Sequence, residues 1–164
     1  MSFYEQGNNL ELMLGIINGE SAISLRIVDW FATNYAKQNY TVIKNNETDR
    51  FKVYIDYKLK LKAYSKRRFD PFCRWTRIEI PYKDGQYIQT TIGQLNFFRW
   101  AIKYKILDYI MNNLKYIECD MNKIQKDVYN KEKYNGKRKK RTELSKSATK
   151  TLNKHNIKIT LDFT

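Results

Sequence analysis

The chain has 164 residues, with 31 Lys or Arg, 17 Asp or Glu and one His, which gives a net charge of +14 at pH 7. This length suits one domain with its own hydrophobic core. No apolar run approaches the roughly 18 residues that span a bilayer, and MSFYEQGNN lacks the features of a signal peptide, so we expect neither a membrane span nor secretion.

The first twenty residues are predicted to be irregular, with the apolar run LELMLGII packing as a short strand or turn. A helix is predicted to begin near Ser21, because apolar side chains then recur every three to four residues. These apolar residues are Ile23, Ile27, Trp30, Phe31 and Tyr35. The polar stretch KNNETDR predicts a loop after this helix.

The segment FKVYIDYKLKLKA, residues 51–63, predicts a β-strand, because apolar residues occupy every second position from Phe51 to Ala63. The other face is mostly lysine and includes Lys58, Lys60 and Lys62. Such a row, with alternate residues about 6.6 Å apart, either protects an exposed strand from aggregation or faces phosphates. The cations Lys66, Arg67 and Arg68, which we call the basic triplet, follow and strengthen the second interpretation.

Pro71 is expected to break the strand after the basic triplet, and the turn KDG predicts a hairpin between Arg77–Tyr82 and Gln86–Thr90. Thr91 is predicted to cap a helix, with Gln94 as its capping-box partner.

That helix has the most regular apolar stripe in the chain: Leu95, Phe98, Ile102, Ile106, Tyr109, Ile110 and Leu114. Its aromatic residues Phe97, Phe98 and Trp100 are interpreted as core and not as platforms for stacking bases. A further helix is predicted through YIECDMNKIQKDVY.

Residues 134–155 are predicted to form a basic arm between this last helix and a C-terminal strand at Ile157–Phe163. The arm begins with five consecutive cations, residues 137–141, and continues with lysines spaced four apart, which share one face if the segment is helical. The whole chain, residues 1–164, is therefore predicted to be a single α+β domain with an antiparallel or mixed sheet, about three helices and this arm.

The charge is concentrated in two places, with +6 in residues 51–84 and +8 in residues 131–155. Localised positive charge predicts a polyanionic partner, although a high net charge also aids solubility. The candidate nucleic-acid-binding residues are Lys58, Lys60, Lys62, Lys66, Arg67, Arg68, Lys137, Arg138, Lys139, Lys140, Arg141, Lys146 and Lys150.

Catalytic and metal-binding motifs are missing from the sequence. Cys73 and Cys119 form no CxxC pair and are interpreted as reduced thiols in an intracellular setting. Asp70, Glu79 and Lys83 superficially suggest a nuclease, but Glu79 and Lys83 lack the Glu–x–Lys spacing of that core. We therefore expect no enzymatic activity, no cofactor and no metal site.

Four segments of the chain form a recognisable set: GIINGESAISLRIVDWF, AYSKRRFDPFCRW, TTIGQLNFFRWAI and KRKKRTELSKSATK. Together they resemble small basic proteins of large double-stranded DNA viruses of algae and protists, similar to phycodnaviruses and mimiviruses. The resemblance implies a viral origin, and it supplies no established activity or functional residue.

Two functions follow as hypotheses. In the first, the protein binds nucleic acid, with duplex DNA as the expected form, for genome packaging, condensation or late gene expression. In the second, it is an internal structural protein of the virion, a minor capsid protein whose arm contacts acidic neighbours, an inner membrane or the genome. Either function places it in the virion or the interior of the infected cell, within a larger assembly.

Overall fold

The computed structural model describes residues 2–45, 48–82 and 85–134, in which helices and two small antiparallel sheets form one domain. The predicted α+β class is confirmed. The strands are β1 (Val42–Asn45), β2 (Thr48–Lys52), β3 (Arg77–Pro81) and β4 (Tyr87–Thr91). The helices are α1 (Ser2–Glu5), α2 (Asn9–Asn18), α3 (Leu25–Trp30), α4 (Ala36–Gln38), α5 (Val53–Arg68), α6 (Ile92–Lys103), α7 (Ile106–Asn112) and α8 (Leu114–Tyr134). A π-helical turn at Phe31–Tyr35 joins α3 to α4.

The chain begins with helices, so the prediction of an irregular start with a strand at LELMLGII is wrong. In α2, Met13 and Ile17 are buried one turn apart, because the apolar run also satisfies the helical repeat. The helix stops at Gly19, whose φ of +75° is left-handed. The N–H of Glu20 then donates to the carbonyl of Gly15 at 2.8 Å, as at many helix ends.

The helix predicted from Ser21 is present but begins later, at Leu25. Ser24 is its cap, because the Ser24 hydroxyl accepts a hydrogen bond from the N–H of Ile27 at 3.3 Å. The prediction of a loop at KNNETDR is wrong for its described residues, all of which lie in the strands β1 and β2.

The strand predicted over residues 51–63 is the largest error, because the chain is helical from Val53. Every second position includes every fourth, so the alternating pattern also places Val53 and Tyr57 on one buried helix face. Leu, Lys and Ala are also better helix formers than strand formers. Because the segment is helical, Ile55 and Leu59 lie off the buried face and are 48% and 58% exposed.

The predicted hairpin is confirmed as the antiparallel pair β3–β4, in which Ile80 lies opposite Ile88. The predicted cap is confirmed as well, since the Thr91 hydroxyl accepts from the N–H of Gln94 at 3.1 Å. The capping-box role predicted for Gln94 is wrong, because its buried side chain accepts from the Thr90 hydroxyl at 2.8 Å and donates to the Pro71 carbonyl at 3.0 Å. This helix start is therefore tied to the segment that follows α5.

The core takes buried residues from all eight described helices, the π-helical turn and the β1–β2 hairpin. Phe97, Phe98 and Trp100 are buried, as predicted. Phe69 packs among them, with its ring centre 5.3 Å from that of Phe97 and 5.5 Å from that of Trp100. The Trp100 ring N–H donates to Asp56 at 2.6 Å, so α5 and α6 are joined by a polar contact as well as by apolar packing.

The single long apolar stripe predicted after Thr91 is divided among α6, α7 and α8. The first break follows from Lys105, which has a left-handed φ of +53°. The further helix predicted through residues 116–129 is confirmed within α8. Residues 135–164 lie outside the described part of the chain, and with them lie most of the predicted basic arm and the predicted strand Ile157–Phe163. The described strands form two separate two-stranded sheets, not the one sheet predicted, and the described helices outnumber the three expected.

Candidate nucleic-acid interface

The basic triplet lies in a turn that the chain enters through an unusual backbone conformation. Ser65 interrupts α5 with φ +64° and ψ +164°, a region that only glycine adopts easily. After this break Lys66, Arg67 and Arg68 form the last turn, and Phe69 enters the core directly behind them. The buried Phe69 ring therefore fixes one end of the triplet.

Backbone contacts with α6 fix the triplet from the other side. The Asn96 side chain donates to the Arg68 carbonyl at 2.9 Å, and the N–H of Asp70 donates to the Gly93 carbonyl at 3.2 Å. Gly93 permits this approach, because a Cβ atom there would lie 2.8 Å from the carbonyl oxygen of Arg67. The triplet is thus presented on a supported backbone and not on a free loop.

The three side chains of the triplet are exposed, and none forms an ion pair with a residue that the structure describes. Three neighbouring cations that form no ion pair within the described residues repel one another and attract an external anion. This combination of a fixed backbone and exposed positive charge is what a phosphate-contacting surface requires.

Two partly exposed aromatic rings border the triplet. Tyr64 is 42% exposed and stacks on Phe69, with ring centres 6.1 Å apart and planes at 13°. Trp75 is 39% exposed, and the Arg67 guanidinium lies 5.4 Å from its ring centre. We call Tyr64, the basic triplet and Trp75 the basic–aromatic surface.

Arg74 lies close in sequence to this surface, but its charge is partly neutralised. It donates from Nε and Nη2 to the two carboxylate oxygens of Asp70, at 2.8 and 2.7 Å. Asp70 is buried and also accepts from the N–H of Phe72 at 3.2 Å. Both Asp70 oxygens are therefore engaged in holding this turn together.

A second carboxylate, Asp29 in α3, is in an unfavourable environment for its charge. Burial raises the pKa of Asp29 to about 6 from an ordinary value of 3.8, Arg74 opposes the rise and Asp70 adds to it. The folded protein therefore holds this proton more tightly than the unfolded chain does. The contribution of Asp29 to stability is consequently lost as the pH rises from about 4 to about 6.

Replacing Asp29 by Asn is expected to stabilise the protein at pH 7 by about 2 kcal/mol and to have a small effect below pH 4. Thermal unfolding of the parent and Asp29→Asn between pH 4 and pH 8 measures the difference. Asp108→Asn, at an exposed site in α7, is the control. A difference between parent and variant that shrinks as the pH rises would contradict this assignment.

The three lysines predicted to line one strand face are instead distributed around α5. Lys58 and Lys62 are exposed and lie one helical turn apart. Lys60 is half-buried and lies two residues from each, which is about 200° around the helix axis. The predicted single row of lysines is therefore wrong, because the repeat of the segment is helical.

The candidate residues of the arm, Lys137 to Arg141 with Lys146 and Lys150, lie outside the described residues. Their assignment to nucleic-acid binding stays a prediction. The members of the basic–aromatic surface that sequence reasoning missed are Tyr64 and Trp75. The signal that identifies them is the interleaving of aromatic and basic residues in AYSKRRFDPFCRW.

Within the described residues, no group of three or more His, Cys, Asp or Glu is arranged to hold a metal ion. None of the helices in residues 2–45, 48–82 and 85–134 combines the length and hydrophobicity that a bilayer span requires.

Comparison with known proteins gives two matches. The family described as a family of unknown function, DUF7197, matches residues 1–137. The uncharacterized protein L507 of Acanthamoeba polyphaga mimivirus is 49% identical over 129 residues, which cover 74% of this chain and 49% of the relative. The chain thus spans about half the length of that curated relative. No solved structure matches. The mimivirus relative supports the predicted origin in a large DNA virus.

Proposed function

This chain belongs to the DUF7197 family, a family of unknown function, and we propose that it is a non-enzymatic nucleic-acid-binding protein of a large DNA virus. The observation that carries the proposal is the basic triplet: three exposed cations, held on a fixed backbone, without an ion pair to any described residue. Such a site contacts phosphates and reads little sequence. The second concentration of positive charge, in residues 131–155, supports the same role.

Electrostatic binding of this kind suits genome packaging, condensation or late gene expression, in the virion or in the infected cell. It needs no cofactor and no bound metal, because counter-ions released from the nucleic acid supply the driving force. The partner is a polyanion, and the fixed backbone of the triplet sets where on the protein it lies.

A second function, an internal structural protein of the virion, is favoured by a different observation. Ile55 and Leu59 are exposed one turn apart on α5, next to Lys58 and Lys62. A face that mixes apolar and basic residues fits an acidic protein neighbour as well as a nucleic acid.

The test replaces Lys66, Arg67 and Arg68 by alanine and measures binding to duplex and single-stranded oligonucleotides over a range of salt concentrations. We expect the slope of log affinity against log salt on duplex DNA to fall by up to about 2.7, since each lost phosphate contact removes about 0.9. Three fully formed contacts correspond to a loss of up to about 500-fold in affinity at about 0.1 M salt.

The matched control replaces Lys115, Lys123 and Lys126, which are exposed on α8. Both triple variants change the net charge from +14 to +11, so they differ only in where the charge is lost. Equal affinities and equal salt slopes for the two variants would mean that the triplet is not a binding site.

A further inference from the structure

We propose that the basic–aromatic surface selects single-stranded nucleic acid, with Trp75 as the ring on which an unpaired base stacks. The inference rests on the proposed function and adds the form of the nucleic acid. It departs from the duplex DNA expected from charge alone, because charge makes no distinction between paired and unpaired strands, whereas an accessible aromatic ring does.

Trp75 differs from the other two tryptophans in how its ring is used. The ring N–H of Trp30 donates to Asp120 at 3.0 Å, and that of Trp100 donates to Asp56 at 2.6 Å, so both rings join helices within the fold. The ring N–H of Trp75 has no hydrogen bond to a described residue, and the side chain is 39% exposed. The Trp75 ring is therefore available to a partner.

Arg67 places a charged group next to this ring, so that one nucleotide can contact both. Its guanidinium lies over one face of the Trp75 ring, 5.4 Å from the ring centre, so a phosphate ligand lies on that face and a base would stack on the opposite one. Each nucleotide of a single strand offers a base and a phosphate close together. A base on Trp75 with its phosphate near Arg67 uses both groups at once.

Tyr64, which precedes the triplet in the sequence, adds a second exposed ring. Its ring is 42% exposed and stacks on Phe69, which is buried and packs on Phe97. The Tyr64 ring is thereby supported from beneath by the core. Two exposed rings close to three exposed cations match an electrostatic track with stacking platforms, the arrangement that holds single strands.

A duplex cannot use these rings, because its bases are already stacked in pairs and present only their edges in the grooves. The cations serve both forms equally, since both carry phosphates. The rings are therefore expected to add affinity for single strands alone.

The test compares Trp75→Ala with the parent on a single-stranded thymidine oligonucleotide and on a duplex of equal length, using the full chain over a range of salt concentrations. We expect affinity for the single strand to fall by about 5- to 150-fold, the range for loss of one stacked base. Affinity for the duplex should change less than about twofold. Because no charge is lost, the salt slope should stay the same for both forms.

Two further variants keep this test interpretable. Trp75→Phe retains a ring and should recover most of the affinity for the single strand, which separates stacking from folding. Tyr116→Ala removes a ring that is 73% exposed on α8 and should change neither affinity. Thermal unfolding of each variant checks that it is folded at the binding temperature.

Equal losses on the two forms, or no loss on either, would overturn the assignment of Trp75 to base stacking. In that event the basic triplet variant still decides the proposed function, because its effect appears on both forms and in the salt slope. A parent protein that binds neither oligonucleotide would overturn both proposals.

Discussion

Replacing all five cations of residues 137–141 by alanine is expected to lower the slope of log affinity against log salt on duplex DNA by up to about 4.5, at about 0.9 per phosphate contact. This is the largest effect on binding that we expect from a single segment, because these residues lie in a stretch that carries +8 of the total charge of +14. Thermal stability should change little, since charged residues of this density are rarely part of a core.

A variant that exchanges Lys and Arg at the same five positions is the control. It keeps the net charge at +14, whereas the alanine variant lowers it to +9. The exchange should leave the salt slope unchanged if the contacts are with phosphates. Unchanged affinity and slope in the alanine variant would show that the arm does not bind DNA. If that variant also failed to enter virus particles, the structural function would be favoured.

The sequence correctly predicted those elements whose local residue pattern fits only one kind of secondary structure. The cap at Thr91 and the β3–β4 hairpin depend on residues a few positions apart, and both are confirmed. Of the buried aromatic residues of α6, Phe98 belongs to the predicted apolar stripe, and Phe97 and Trp100 were interpreted as core because they are aromatic. These features are set by neighbouring residues, so no knowledge of the rest of the fold was needed.

The α5 segment was wrongly predicted because its pattern satisfies two repeats. The alternation of apolar residues over positions 51–63 fits a strand. Val53 and Tyr57, which lie four residues apart within it, also fit one face of a helix. Tertiary contacts decide between them: Trp100 donates to Asp56, and Tyr57 packs 6.0 Å from Phe69 between ring centres. A sequence alone does not show that α6 lies beside this segment.

The candidate site was predicted in part. The basic triplet is visible in the sequence as a run of positive charge, but the residues that hold its backbone in place are not. Gly93 and Asn96 lie more than twenty residues beyond the triplet, and nothing in their local pattern indicates that they contact Arg67 and Arg68. The exposure of Trp75 is likewise a property of the folded chain, since Trp100 of the same sequence is buried and Trp30 is partly buried.

Replacing Gly93 by Ala is expected to destabilise the protein by about 1–3 kcal/mol, because the new Cβ would press against backbone and not against a flexible side chain. That Cβ would lie 2.8 Å from the carbonyl oxygen of Arg67 and 3.4 Å from the N–H nitrogens of Phe69 and Asp70. For a chain of this size the loss corresponds to a fall of roughly 2–12 °C in Tm, measured by thermal unfolding.

Gly15→Ala is the matched control, because Gly15 also lies within a helix and a Cβ there would meet nothing within 4 Å. Alanine at this position should stabilise the protein by about 0.5–1 kcal/mol, since glycine weakens a helix interior. Opposite signs for the two variants would indicate that the close approach of the triplet segment, and not helix propensity, requires glycine at position 93.

Gly93→Ala also tests whether the packing of the triplet segment against α6 matters for the proposed function. If Gly93 sets the position of the basic triplet, Gly93→Ala should weaken binding to single-stranded and duplex nucleic acid even at temperatures where the protein remains folded. Gly15→Ala should leave both affinities unchanged. A Gly93→Ala variant as stable as the parent would mean that the triplet segment moves away from α6 at little cost. A fixed backbone would then no longer support the proposal that the triplet binds nucleic acid.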